Sequence, residues 1–251
     1  MPNIESTLDS GVLTLAINRP PVNALDHQTI FSLLKSLQEG SDNESIRCIV
    51  LTGSNDVFCA GHDINEMLVG QDQKESYREH LLETYNPLIL QIRKTPKPVI
   101  ASINGPAAGA GLGIALACDL RIASDNAHFT VGFAGVGLVP DSGVSLFLPL
   151  LIGLGRATEL SFSNATIPAN KALEWGIINR ITTPEQLEAQ TNIFAAGLAN
   201  GPMGTYGLTK KAFNQAVLHN LENALDQEAN LQELASKSDE HRLGVKAFLN
   251  R

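Results

Sequence analysis

The chain has 251 residues, 43% of them hydrophobic and 18% charged, with 18 Lys plus Arg against 26 Asp plus Glu and a formal net charge of −8. That balance supports a sizeable buried core and excludes a disordered chain. An acidic chain without a run of five like charges also excludes a nucleic-acid binder that tracks phosphates through a basic patch. Cys48, Cys59 and Cys118 have no CxxC spacing and no histidine cluster beside them. Neither a disulfide framework nor a metal site is expected, and a reducing, cytoplasmic location fits best.

In chain order, residues 12–17 and 47–52 read as strands. Between them Asp26 can cap a helix whose apolar residues Ile30, Leu33, Leu34 and Leu37 recur at helical spacing until Gly40. A single helix is expected over 76–93. A buried strand over 99–103 then runs into a glycine-rich segment, a helix ending near Cys118 and a strand over 120–123. After Pro140 the periods are helical (144–151, 156–162, 169–175, 184–198, 205–218 and 221–236), interrupted by one strand over 177–181. This order predicts an α/β core over residues 1–190 and a helical region over 191–251. Residues 98–118 form an apolar stretch broken only by Ser102 and Asn104, but Pro106 and the glycines at 105, 109, 111 and 113 would leave backbone groups unpaired in lipid. No membrane span is expected.

Three glycine-bearing segments could carry chemistry: residues 58–64, 104–113 and 137–143. Each feeds a helix, whose first N–H groups are unpaired and can hold a developing negative charge. Two such donors converging on one point would make an oxyanion hole. Other readings stand beside this one. Asp63 followed by Glu66 has the pattern of a capping box, and His62 has no metal-ligating partner at a recognisable spacing. The run Gly109-Ala110-Gly111-Leu112-Gly113-Ile114 approaches a dinucleotide fingerprint but has Ile114 where a third glycine or alanine belongs. Asp141 can be a helix N-cap. A carboxylate on a glycine-flanked turn among Leu138, Val139 and Phe147 is equally how a general base would be supplied, with burial raising its pKa.

Taken in register, these segments resemble the enoyl-CoA hydratase/isomerase, or crotonase, superfamily. The likeness rests on Arg19-Pro20-Pro21-Val22-Asn23-Ala24-Leu25, on Ile49 to Gly53 with Phe58 to Ile64, on Asn104-Gly105-Pro106 through Asp119, and on Gly244-Val245-Lys246-Ala247-Phe248. The resemblance implies a crotonase-like spiral of β-β-α units with a C-terminal helical region that builds trimers or dimers of trimers. It also implies an acyl-CoA thioester substrate and no separate cofactor, since coenzyme A is part of the substrate. Neither nucleic acid nor membrane is an expected partner. By position, the backbone N–H groups of His62 and Ala110 would grip the thioester oxygen. Pro21, Val22, Ala24, Ala60, Asp63 and Ile64 are the expected CoA contacts, with Arg19, Lys97 and Lys246 as candidates to meet its phosphates. The stretch from Met67 to Tyr85, with Tyr77 and Tyr85, would line the acyl pocket.

The departures from the family pattern bear on the reaction. The two glutamates that hold water in the hydratases fall, in register, on Gly113 and Phe133, and neither residue can move a proton. Family isomerases of enoyl-CoA, dienoyl-CoA and the ring-opened phenylacetyl-CoA pathway carry an acid in a turn resembling residues 138–143, where Asp141 sits. Three readings remain open at this point. They are a double-bond isomerase using Asp141, a hydratase or other lyase recruiting Asp141, and a non-catalytic acyl-CoA-binding subunit in which Asp141 only caps a helix.

Overall fold

The strand runs that are apolar throughout become the interior of a sheet, as parallel strands covered on both faces require. The computed structural model describes residues 3–66 and 76–250. Among these, β1 (Ile4–Asp9), β2 (Val12–Ile17), β3 (Cys48–Gly53), β4 (Val99–Ile103), β5 (Ala107–Ala108), β6 (Leu120–Ser124), β7 (His128–Thr130), β8 (Thr166–Pro168) and β9 (Arg180–Thr182) are the strands. Six form one sheet in the order β1-β2-β3-β4-β6-β9, and β5-β7-β8 form a second. Within the large sheet β1 and β2 are antiparallel and every other pair is parallel. Strand alternation sends Leu13, Leu15, Ile17, Ile49 and Leu51 into the main core. Val12, Cys48, Val50, Ile100 and Ile122 face a smaller core on the opposite side.

Helices among the described residues include α1 (His27–Asp42), α2 (Tyr77–Glu83), α3 (Tyr85–Lys94), α4 (Ala110–Ala117), α5 (Val144–Ile152), α6 (Leu154–Ser163), α7 (Ala169–Trp175), α8 (Pro184–Ala199), α9 (Met203–Val217), α10 (Leu221–Ser236) and α11 (Asp239–Leu249). Asp26 caps α1 as expected, accepting the Thr29 N–H at 2.7 Å. With the alternating strands and helices this gives the expected α/β core followed by a helical region.

Several expectations change. The single helix over 76–93 is two helices meeting at Thr84 (φ −119°, ψ −82°). Pro87 explains the break, because it lacks an N–H and its ring would meet the carbonyl of residue 83. The boundary near 190 falls inside α8, which seats Leu187, Ala195 and Ala199 on the second face of the sheet. The sheet layer therefore extends to Ala199, and the tail begins at α9. The second half holds a further strand, β8, and β1, β5, β7 and α11 had no counterpart in the sequence reading.

The tail folds back onto the core. Lys210 of α9 is 8% exposed; its Nζ donates to Asp119 Oδ2 at 2.7 Å and to the Ile92 carbonyl at 2.8 Å, while Arg93 holds Asp119 Oδ1 at 2.9 Å. Lys210→Met should lower unfolding free energy in urea by about 1.5–3 kcal/mol, the worth of a charged hydrogen bond, because Asp119 keeps Arg93 as a partner. α10 packs on α2, α3 and α5, and α11 packs on a 3₁₀ turn at Ala134–Val136.

Candidate active site

Two backbone segments are drawn together by hydrogen bonds. The Phe58 and Cys59 N–H groups both donate to the Pro106 carbonyl (3.1 and 3.2 Å), and the Ala108 N–H donates to the Cys59 carbonyl (3.0 Å). Gly61 and Gly111 make the approach sterically feasible. A Cβ on Gly61 (φ +93°) would lie 2.9 Å from the Ala108 oxygen and 3.3 Å from the Ala110 nitrogen, and one on Gly111 would lie 2.4 Å from the Cys59 oxygen. Beyond this pairing one chain runs into a β-bridge between His62 and Leu25, and the other opens a helix at Ala110. Leu25 pairs with the residues on either side of His62, donating to the Gly61 carbonyl and accepting the Asp63 N–H. The His62 N–H therefore has no protein acceptor among the described residues. Ala110 opens α4, whose backbone ladder starts only with the Gly113 N–H to the Gly109 carbonyl. At the far end of α4, Arg93 donates to the Ala117 carbonyl (2.9 Å) and Arg121 to the Cys118 carbonyl (2.7 Å). Two free donors and the positive end of a fully buried helix thus border one cavity.

That cavity measures about 780 Å³, and its lining includes His62, Ala110, Tyr85, Phe133 and Asp141. Asp141 sits on a turn held by Ser142 (φ 54°) and Gly143 (φ 79°). The N-cap reading does not hold for this residue. Gly143 is the N-cap of α5, and the Gly143 and Ser145 N–H groups donate to Glu228 of α10 at 2.9 and 3.0 Å. Glu228 thereby leaves the Asp141 carboxyl free for other work. It is 7% exposed. Ser142 Oγ donates to Oδ1 at 2.7 Å and Gln232 Nε2 to Oδ2 at 2.6 Å. Burial pushes its pKa up to about 6 while the two donors resist the rise. A carboxyl so poised changes state near neutral pH, as an acid/base group must.

The His62 imidazole lies in the same wall, where Tyr85 and its ring nitrogen Nδ1 are 3.1 Å apart. Burial, with His80 beside it, drops its pKa to about 3, and burial drops that of His80 to about 4. Both rings are neutral at physiological pH, so neither competes as a cation with the backbone donors.

A family model described as Enoyl-CoA hydratase/isomerase matches residues 7–251. The chain belongs to the enoyl-CoA hydratase/isomerase family. It is 38% identical over 248 residues to the 1,2-epoxyphenylacetyl-CoA isomerase of Escherichia coli K12, covering 98% of this chain and 95% of that one. It is 34% identical over 220 residues to a 4-chlorobenzoyl coenzyme A dehalogenase of an Arthrobacter species, covering 87% and 80%. A solved enoyl-CoA hydratase from Mycobacterium avium subsp. paratuberculosis K-10 superposes with a TM-score of 0.90 at 32% identity, covering 100% of this chain and 96% of that one. Membership in the enoyl-CoA hydratase/isomerase family makes this an acyl-CoA enzyme, and the choice among such reactions rests on the residues.

For this family member the two places where the resemblance puts hydratase glutamates are informative. A Cβ on Gly113 would lie 2.6 Å from the Ser142 Cβ and 2.7 Å from the Ser142 oxygen. The turn carrying Asp141 therefore occupies the space that a side chain at 113 would need. Phe133 is buried and lines the cavity, with Val136 and Leu138 adding apolar wall.

Of the expected CoA contacts, Ala60 and Ile64 line the cavity. Pro21, Val22 and Ala24 lie on the adjoining loop, where the Val22 carbonyl accepts the Ala60 N–H at 3.1 Å. Asp63 is buried outside the lining. Its Oδ1 accepts the Asn65 N–H and its Oδ2 accepts Arg19. The capping box is incomplete, since the Glu66 carboxylate takes the His27 N–H instead of returning to Asp63. Arg19 spends three of its five N–H donors on Asp26 (3.0 Å), Asp63 and the Ala24 carbonyl, and so shapes the loop. Lys97 donates to the Gly40 and Asn43 carbonyls and lies outside this cavity. Lys246 is exposed on α11. Tyr77 and Tyr85 both line the cavity, whereas residues 67–75 of the expected acyl wall lie outside the described residues.

Glu228 and Gln232 escaped the sequence reading. Their signal was present, because both fall on the buried stripe Leu221, Leu225, Glu228, Ala229, Gln232 of α10. Two polar residues on a helix's buried face need partners, and these find them at the Asp141 turn.

Proposed function

We propose that this chain shifts the position of a carbon–carbon double bond in an acyl-CoA thioester. The observation carrying this reading is one buried carboxyl, Asp141, in the same cavity as the free His62 and Ala110 N–H groups, with no room for a side chain at 113 and an apolar one at 133. Asp141 removes a proton from a carbon next to the conjugated system. The electron pair moves onto the thioester oxygen, where each backbone donor stabilises the enolate by about 3 kcal/mol. The protonated carboxyl then returns the proton to the other end of the allylic system, and the bond has moved with no net gain of atoms. Coenzyme A enters as part of the substrate, and the reaction needs no further cofactor.

Phe133 keeps water from the enolate, which favours reprotonation over hydration. Phe133→Glu should therefore introduce measurable hydration of a 2-enoyl-CoA, read as product 18 mass units heavier, consistent with added water. No gain at all would contradict the water-exclusion role. The direct test of the function is a panel of 2-enoyl and 3-enoyl-CoA thioesters in deuterated water. Bond migration with deuterium exchange supports the isomerase; addition of water supports a hydratase; binding with neither supports an acyl-CoA-binding subunit.

The helical tail would assemble the chain into a trimer or a dimer of trimers. Exposed Leu208, Phe213 and Val217 on α9, Leu231 and Leu234 on α10 and Leu243 on α11 supply apolar surface for it. Lys246 is then available to meet the CoA phosphates.

A further inference from the structure

Gln232 reaches the site from the helical tail, far in sequence from Asp141. Its carboxamide is nearly sealed from solvent, at 1% exposed. Both ends are engaged: Oε1 accepts the Val139 N–H at 3.2 Å and Nε2 donates to Asp141 Oδ2 at 2.6 Å. The Val139 contact fixes which end of the amide is which, since a flipped carboxamide would set N–H against N–H. The amide is therefore a locked donor, and Glu228 one turn earlier on α10 holds the following residues of the same turn.

We propose that Gln232 is the positioning residue of the site, orienting the Asp141 carboxyl towards the acyl group and favouring its ionised form. The proposal rests on Asp141 being the acid/base group and adds the residue that governs it. Burial and the hydrogen bonds act in opposite directions on Asp141: desolvation raises its pKa, and the Ser142 and Gln232 donors lower it. Few other groups compete. Tyr85 faces the carboxyl from α3 and Glu228 from α10, and the Asp141 charge contributes to raising both pKa values. His62 and His80 across the cavity are neutral, and His241 of α11 is turned to the Val136 carbonyl and Tyr77.

The test is Gln232→Met, which keeps length and removes the donor. Its kcat should fall about ten- to a hundred-fold at pH 6–7 with KM within about twofold. The acid limb of its kcat/KM profile should move up by about one pH unit, so that the deficit narrows at pH 8.5. An unmoved limb, or a loss of equal size at every pH, would overturn the proposal in favour of a purely structural role. If Gln232→Met does not fold, Gln232→Glu carries the test. It still accepts from Val139 but sets a second carboxylate on Asp141, so the limb should rise again, and a limb at the wild-type position overturns the proposal. ¹³C NMR titration of carboxyl-labelled aspartate, assigned with Asp141→Asn, reads the same shift without turnover. Absence of isomerase activity would thus remove the functional reading and still leave the role of Gln232 decided by the titration.

Discussion

Asp141→Asn should lower the rate of double-bond migration by about 10²- to 10⁴-fold with little change in acyl-CoA affinity, because it removes the acid/base group and keeps its shape. Stability should change much less, for two opposing reasons. The buried carboxyl stands at a pKa of about 6 against an ordinary 3.8, a difference corresponding to about 3 kcal/mol of penalty on its ionised form at neutral pH. The variant relieves that penalty, but with Oδ1 taking the Gln232 N–H and Nδ2 turned to the Ser142 hydroxyl it trades two charge-assisted hydrogen bonds for neutral ones, which costs about 1–3 kcal/mol. The sign of the pH dependence follows from the same shift. A base must be ionised, so wild-type kcat/KM should rise with pH through about 6 and level off above it. Urea titration alongside kinetics from pH 5 to 9 checks both parts. A variant that retains substantial activity, or a wild-type profile flat across pH 6, would count against Asp141 as the base.

Ala110→Pro should be nearly as damaging to activity while sparing the fold. Ala110 is the first residue of α4, the position where proline is best tolerated because that N–H has no helical partner. Gly109 before it (φ 54°, ψ −128°) lies in a mirror-image extended region open to glycine. The substitution therefore deletes one oxyanion donor, sets the ring Cδ where that hydrogen stood and leaves the helical ladder of α4 intact. Activity should fall by about 10²- to 10³-fold, mainly in kcat, with the melting temperature close to wild type. Ala110→Gly, which keeps the N–H, should retain most of the activity. Equal activity in the proline variant would show that the Ala110 N–H does not face the developing charge.

The parts of the fold that were legible in the sequence are those with strong local signals. Continuous apolar runs at β3 and β4 and the helical periods after Pro140 are patterns that burial produces, and Asp26 before α1 is a hydrogen-bonding cap signal. The two-residue strand β5 and three-residue β7 are too short to show a period, and β1 has an almost wholly exposed pattern. Helix α11 carried a readable start that went unread: Ser238 accepts the His241 N–H, and Asp239 and Glu240 fill the first turn.

The site divides in the same way. His62, Ala110 and Asp141 sit on glycine-bearing loops whose spacing marks helix entries. Their convergence on one cavity could be expected only through the family resemblance. Gln232 and Glu228 come from a helix about ninety residues beyond the turn they hold, so no local pattern ties them to it. Arg19 and Lys97 illustrate the converse. Each is a cation in a suggestive place, and which partner neutralises it depends on carboxylates and carbonyls that the fold delivers from elsewhere.

A crystal structure of the Asp141→Asn variant with a 3-enoyl-CoA bound is the most direct measurement. The thioester oxygen should lie about 3 Å from both the His62 and Ala110 nitrogens, with the residue-141 side chain within about 3.5 Å of the carbons that lose and gain the proton. A thioester oxygen paired elsewhere, or a side chain at 141 more than about 5 Å from those carbons, would contradict the proposed proton transfer.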